Sequence, residues 1–137
     1  MTGVQTCALP ISNNDQFDSK NNIFFSASSA SPALYVNNST GFTGNYNDLF
    51  SNYTYPVYYS GNQTFTEYQS TGNGANSVNL DPVFYNDSCS SNTSTMVPMR
   101  LALDNLGTPI AGITADINGD TRDETAPDMG RLFRRII

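Results

Sequence analysis

Two short apolar runs constrain this chain more than anything else in it. "NNIFF" at 21–25 and "YNDLF" at 46–50 each carry an Asn directly before the run, and Asn22 and Asn47 stand 25 residues apart. A period of 20–50 residues is the mark of stacked supersecondary units. In a parallel β-helix, successive coils lie at strand spacing, so an Asn at one turn position can hydrogen-bond up and down the stack. Such a ladder would satisfy buried amides and fix the register, which makes Asn22 and Asn47 structural candidates. Asn-rich turns also precede strands in an ordinary β-sandwich, and two occurrences leave both architectures open.

The rest of the pattern is mostly β. Besides those two runs, "ALYV" (33–36), "YPVYYS" (55–60), "DPVFYN" (81–86) and "MRLAL" (99–103) are too short for helices. Their Asn, Gly, Ser and Pro flanks read as turns, so each is expected to be a short strand. One segment breaks the pattern. "TFTEYQSTG" offers Thr64 or Thr66 as an N-cap, Glu67 in the first turn and Gly72 as a stop, which predicts a helix of about two turns packing Phe65 and Tyr68 onto the β body.

Both ends differ in character from what lies between. Met1–Ile11, "MTGVQTCALPI", lacks the basic start and the apolar run of a signal peptide. A common short-read sequencing adapter, translated in one frame, spells Thr-Gly-Val-Gln-Thr-Cys-Ala-Leu-Pro-Ile. Residues 1–11 are therefore read as a translated adapter and set apart from the fold. At the other end, "RLFRRII" (131–137) holds three of the six basic residues and is read as a frameshifted tail. Residues 12–130 then hold three basic residues against twelve acidic ones, a formal charge of −9, whereas the whole chain carries −6. That acidity argues against a nucleic-acid partner. Asn, Ser and Thr make up 46 of the 137 residues, yet eight Tyr and eight Phe supply material for a core that a disordered chain lacks. Cys89 is the one cysteine outside the adapter segment, so no disulfide framework is available. No run of about 20 apolar residues suits a transmembrane segment.

The ordered motifs "NNIFF", "YNDLF", "TFTEYQSTGNGANSVNLDPVF" and "LDNLGTPIAGITADINGDTRDETAPDMG" resemble the C-terminal part of secreted bacterial right-handed parallel β-helix proteins of the pectate-lyase-like superfamily. The similarity spans residues 21–130 and includes Asp116 to Arg122 and Pro127 to Gly130; it breaks at Arg131. The resemblance implies an all-β, right-handed parallel β-helix, with terminal coils plus one short helix, upstream coils in the same chain and an extracellular or cell-surface location. It implies structural C-terminal coils and a cap of a protein that binds polysaccharide or adheres. The alternative is a fragment of a polysaccharide lyase or glycoside hydrolase whose active site lies in coils upstream.

Residue chemistry narrows these readings. The family's lyases use Asp-bound calcium and a basic residue as proton acceptor, and 12–130 offers only Lys20, Arg100 and Arg122. With no His in the chain, Ser-His-Asp and Cys-His nucleophiles are excluded, and the segment is expected to be non-catalytic. Asp116, Asn118 and Asp120 alternate oxygen ligands and are the calcium candidates, but an Asn118-Gly119 hairpin turn explains "DINGD" better; no cofactor is otherwise expected. Arg122 is expected to pair with Asp128 as a clamp on the last coil. Tyr55, Tyr58 and Tyr59 are the glycan-stacking candidates, with strand alternation placing some of them in the core.

Overall fold

The computed structural model describes residues 16–84, 98–116 and 119–130, together with the backbone of 9–11. Asn118, Cys89, the tail 131–137 and most of the adapter-like segment lie outside the described residues. The fold is mostly β with one short helix. In chain order the strands are β1 (Leu9–Ile11), β2 (Phe17–Lys20), β3 (Ile23–Ser26), β4 (Leu34–Val36), β5 (Phe42–Asn45), β6 (Asp48–Ser51), β7 (Val57–Tyr59) and β8 (Asn62–Gln63), followed by helix α1 (Phe65–Ser70). β1 falls within the segment set apart on sequence.

The pairing repeats every three strands. β1 pairs with β4, β2 with β5, β3 with β6 and β4 with β7, all parallel. In the first three pairs the partners are 25 residues apart, as in Leu9 with Leu34, Phe17 with Phe42 and Ile23 with Asp48. Like therefore stacks on like. Phe17 lies on Phe42 with ring centroids 5.9 Å apart, Phe25 on Phe50 at 5.9 Å, and Tyr35 on Tyr58 at 4.2 Å.

The corner between β2 and β3, and its equivalent between β5 and β6, explain how the chain changes sheets so abruptly. Asn21 (φ 57°) and Tyr46 (φ 55°) sit in the left-handed region, also 25 residues apart. Asn adopts it readily, whereas Tyr does so at a cost of about 1–2 kcal/mol. Tyr46 is compensated by packing its ring into an apolar cluster.

Side-chain alternation divides the apolar residues into two cores. Phe24, Leu34, Val36, Phe42, Leu49 and Val57 face one another between the sheets, and Tyr68 of α1 fills the end of this space. On the opposite face of β3, Ile23 meets Leu103 and Met129, with Tyr46, Val78, Leu80, Phe84 and Leu106 around them. The segment 98–130 thus lies as a strap over the outer face of one sheet.

Helix α1 starts where expected. Thr64 is the N-cap, its hydroxyl accepting from Glu67 N while the Glu67 carboxylate accepts from Thr64 N, a closed capping box. Hydrogen bonds donated to that carboxylate by the Thr64 hydroxyl, and then by Thr64 N, hold it below its ordinary range. "MRLAL" differs from expectation: Leu101–Leu103 is a single 3₁₀ turn, with Leu103 buried and Leu101 70 % exposed. Among the described residues it joins no strand, and it drops Leu103 into the second core. "DPVFYN" contributes one isolated bridge, Phe84 with Pro98, within the described residues.

Tyr68 needs space that only glycine leaves. A Cβ on Gly44 would lie 2.7 Å from the Tyr68 hydroxyl and 2.9 Å from the Phe42 ring. Gly44→Ala is expected to destabilise by about 1–3 kcal/mol through overpacking, measured by urea denaturation. The loss should shrink in a Tyr68→Phe background, where the hydroxyl is gone.

Candidate functional site

A buried polar column runs beside the corners. Asn47 Oδ1 accepts from Asn22 N at 3.0 Å and from Asn22 Nδ2 at 3.3 Å, and Asn47 Nδ2 donates to the Ser19 carbonyl at 2.9 Å. Above it, Asn47 N donates to Ser77 Oγ at 3.1 Å. Asn22, Asn47, Ser19 and Ser77 are all buried. Asn22 turns its own amide back to Lys20 O (2.9 Å) and Ser19 Oγ (3.2 Å). Ser77 is missed by a search for a fixed period because α1 lengthens the third interval: Val78 bridges Asp48, 30 residues earlier.

The tyrosines separate by face. Tyr59 points inward, packed on Phe42 and Tyr68, and its hydroxyl accepts from Asn73 Nδ2 at 3.1 Å. Tyr58 points outward and lies flat against Tyr35, 7° from parallel. A sugar stacks on a ring face, and in this pair each ring covers one face of the other. Loss of solvent, with Tyr58 as neighbour, raises the Tyr35 phenol above its ordinary range. Tyr55 stands apart, half-buried and edge-on to Tyr53. Of the three sequence candidates, then, only Tyr58 sits in an outward stack, and its partner Tyr35 was passed over. The signal for Tyr35 was available: "LYV" and "VYY" put a Tyr at the middle of both strands.

On either side of Ile117 and Asn118, which lie outside the described residues, residues 115–116 and 119–121 close on each other. Ala115 bridges Thr121, Asp116 N donates to Asp120 O at 2.8 Å, and Asp120 N donates to Asp116 Oδ1 at 3.0 Å. Gly119 supplies the left-handed residue (φ 84°). Among the described residues no group of three or more His, Cys, Asp or Glu side chains is placed to hold a metal ion.

Arg122 is buried and donates from both terminal nitrogens, to Gly130 O at 3.0 Å and to Asp128 O. Arg122 thus reaches residue 128 at its main-chain carbonyl. The Asp128 carboxylate accepts from Asn105 N at 3.0 Å, which ties the two ends of the strap together. Lys20 is held by Asp18 at 2.6 Å, and Arg100 Nε donates to Asp81 O. Each basic side chain between 12 and 130 is therefore engaged in a contact of its own.

Clefts of about 230 and about 550 Å³ flank residues 108–113. The smaller is walled by Asn21, Arg122, Asp123 and Glu124, the larger by Asp18, Lys20 and Tyr46. Asp123, at the first, is held down to about 2 by hydrogen bonds from Ala126 N and from the Thr125 hydroxyl and amide. Its carboxylate is engaged within its own turn, by Thr125 and Ala126. No helix among the described residues is long and apolar enough to cross a membrane. Comparison with protein-family models, curated proteins and solved structures finds no match to the chain.

The column makes a stability prediction. Asn47→Ala leaves Asn22 N and Ser19 O buried without partners, so a loss of about 2–4 kcal/mol is expected by chemical denaturation. Asn22→Ala should cost less, about 1–2 kcal/mol, since Asn22 Nδ2 bonds mainly within its own corner.

Proposed function

We propose that the chain forms the C-terminal coils and closing segment of an extracellular or surface-anchored right-handed parallel β-helix protein, and that its own role is structural. The observation that carries this reading is the contrast between the two edges of the stacked strands. On the C-terminal side every sheet is covered. β8 turns antiparallel onto β7. Asn73 and Gly74 bond to Gly44, and Asn76 N donates to Asn45 Oδ1. Val78 closes β6 through Asn47 O and Leu49 N. On the other side, among the described residues, no strand pairs with the outer edges of β2 and β3. Further coils with the same 25-residue register would continue the stack there. A parallel edge left uncovered invites uncontrolled pairing, so a device that ends the stack on one side only is what a terminal segment requires.

Opening the covered side tests this. One open edge allows two copies to meet, whereas two open edges allow an unlimited chain. Replacing residues 64–76 by a short Gly-Ser linker is expected to turn limited association into linear filaments with a strand repeat of about 4.7 Å, read by sedimentation and fibre diffraction. A variant that keeps its β circular dichroism and the association state of the intact chain would sink the closing role.

The partner class that goes with this reading is polysaccharide or surface glycan, supported by the outward Tyr35 and Tyr58 hydroxyls. On an array of plant and bacterial polysaccharides, Tyr58→Ala should weaken retention several-fold. Equal retention of both proteins would remove this pair as the contact.

A further inference from the structure

Asp48 is a carboxyl in a column of hydrocarbon. Its register partner on one side is Ile23, and its bridge partner on the other is Val78. Its neighbour Leu49 points into the first core, so Asp48 points the opposite way, into the second, where Leu103 and Met129 of the strap cover the sheet. It is 0 % exposed. Oδ1 accepts from Leu80 N at 3.0 Å, while Oδ2 has no hydrogen-bond partner. A buried oxygen without a partner is rare in a native fold and calls for a reason.

The charged groups that reach it come from two places. Arg100, just before the 3₁₀ turn, attracts the ionised form, and Asp81 repels it. β3 brings Ile23, and residues 77–80 bring Ser, Val, Asn and Leu, none of them titratable. The Tyr46 ring also packs in this cluster. Burial outweighs the Leu80 hydrogen bond and Arg100, and pushes the carboxyl up to about 8 from an ordinary 3.8.

The strap is held over this position by two kinds of contact. Polar ties secure one side: Asn21 Nδ2 donates to Thr108 O at 2.6 Å, Thr108 N donates to Asn21 Oδ1 at 2.8 Å, and Gly130 N donates to Asn21 O at 2.8 Å. Apolar contact with Ile23 holds the other, and that is the contact a charge at Asp48 would disrupt. We propose that Asp48 is a proton latch: neutral, it lets residues 98–130 seat on the outer face of β3 and β6, and ionised, it drives that seam open to water.

The direction follows from the two states. With the strap open, the carboxyl titrates at its ordinary value; with it seated, the proton is retained to about 8. Between those values the seated form holds a proton that the open form has lost, so rising pH weakens seating by about tenfold per pH unit. Below the window both forms are protonated and above it both are ionised, so the dependence disappears at either end.

Hydrogen exchange by mass spectrometry on the intact chain, from pH 5 to 8 and normalised to intrinsic rates, is the test. Amides of Leu103, Asn105, Gly107 and Gly130 report the strap, and β4 and β7 report the body. Strap protection is expected to fall by up to about tenfold per pH unit while β4 and β7 hold steady. Asp48→Asn should flatten the strap's response, and Asp48→Val, matching its neighbours in the column, provides a second non-titrating variant. A strap insensitive to pH, an unchanged slope in either variant, or loss of protection across the whole chain together would overturn the latch.

Discussion

The Asn47 amide at the β5–β6 corner is the interaction on which the remaining geometry depends. Here the chain leaves one sheet and enters another within two residues, one of them left-handed. Such a bend turns main-chain groups inward, away from both water and the strand ladder, and each needs a partner. Asn47 answers for Ser19 O and Asn22 N at once. Because the amide reaches to the strand pair below, it also fixes which residue lies over which. A slip of one residue would move every inward side chain to the outer face. The stacks of Phe17 on Phe42, Phe25 on Phe50 and Tyr35 on Tyr58 all follow from the register set at that corner.

The register also explains how so polar a chain holds a core. Inward positions are few per strand, and large side chains fill them: Phe17, Phe24, Leu34, Phe42, Leu49 and Val57. Ser19 and Gly44 share the next inward position of β2 and β5, where Tyr68 enters from the helix and leaves no room for more. Ser19, Ser26 and Ser51 are buried on the strands themselves, while Asn22 and Asn47 take the corners, where they close hydrogen bonds without competing for that space. The sheet of β3 and β6 sends Phe24 and Leu49 into one core and Ile23 into the other, where the strap meets it.

How much of this is legible in the sequence depends on how strongly each position is constrained. β3, β4, β6 and β7 stand out because each carries two or three large apolar residues. The helix stands out because Thr64 and Glu67 form a capping box. β2 and β5, "FDSK" and "FTGN", escape notice since their inward pair is one Phe followed by Ser or Gly; the 25-residue spacing of Phe17 and Phe42 was the available clue. β8 consists of two residues defined only by the strand it folds back on. "MRLAL" misleads because an apolar run that forms a 3₁₀ turn reads like one that forms a strand. Among site residues, Asn22 and Asn47 were visible through their repeat. Tyr58 and Tyr59 could be assigned to opposite faces by alternation, but nothing in the sequence says which face is outward.

Asp48 shows where such reading stops and why. In "YNDLF" it looks like one more polar turn residue beside Asn47, and in most β folds an Asp before an apolar run would face water. Around it lie Ile23, Val78 and Leu80, in a cluster closed by strap residues Leu103 and Met129 that lie more than 50 positions further along and share no period with it. Repeats constrain contacts between successive layers, because those contacts recur; a segment crossing the outer face once makes contacts that occur once. The scaffold of this protein is therefore written twice in its sequence and is readable for that reason. Asp48 belongs to the repeating stack through β6, yet its buried carboxyl lies where the strap crosses that stack, at a crossing that is written only once.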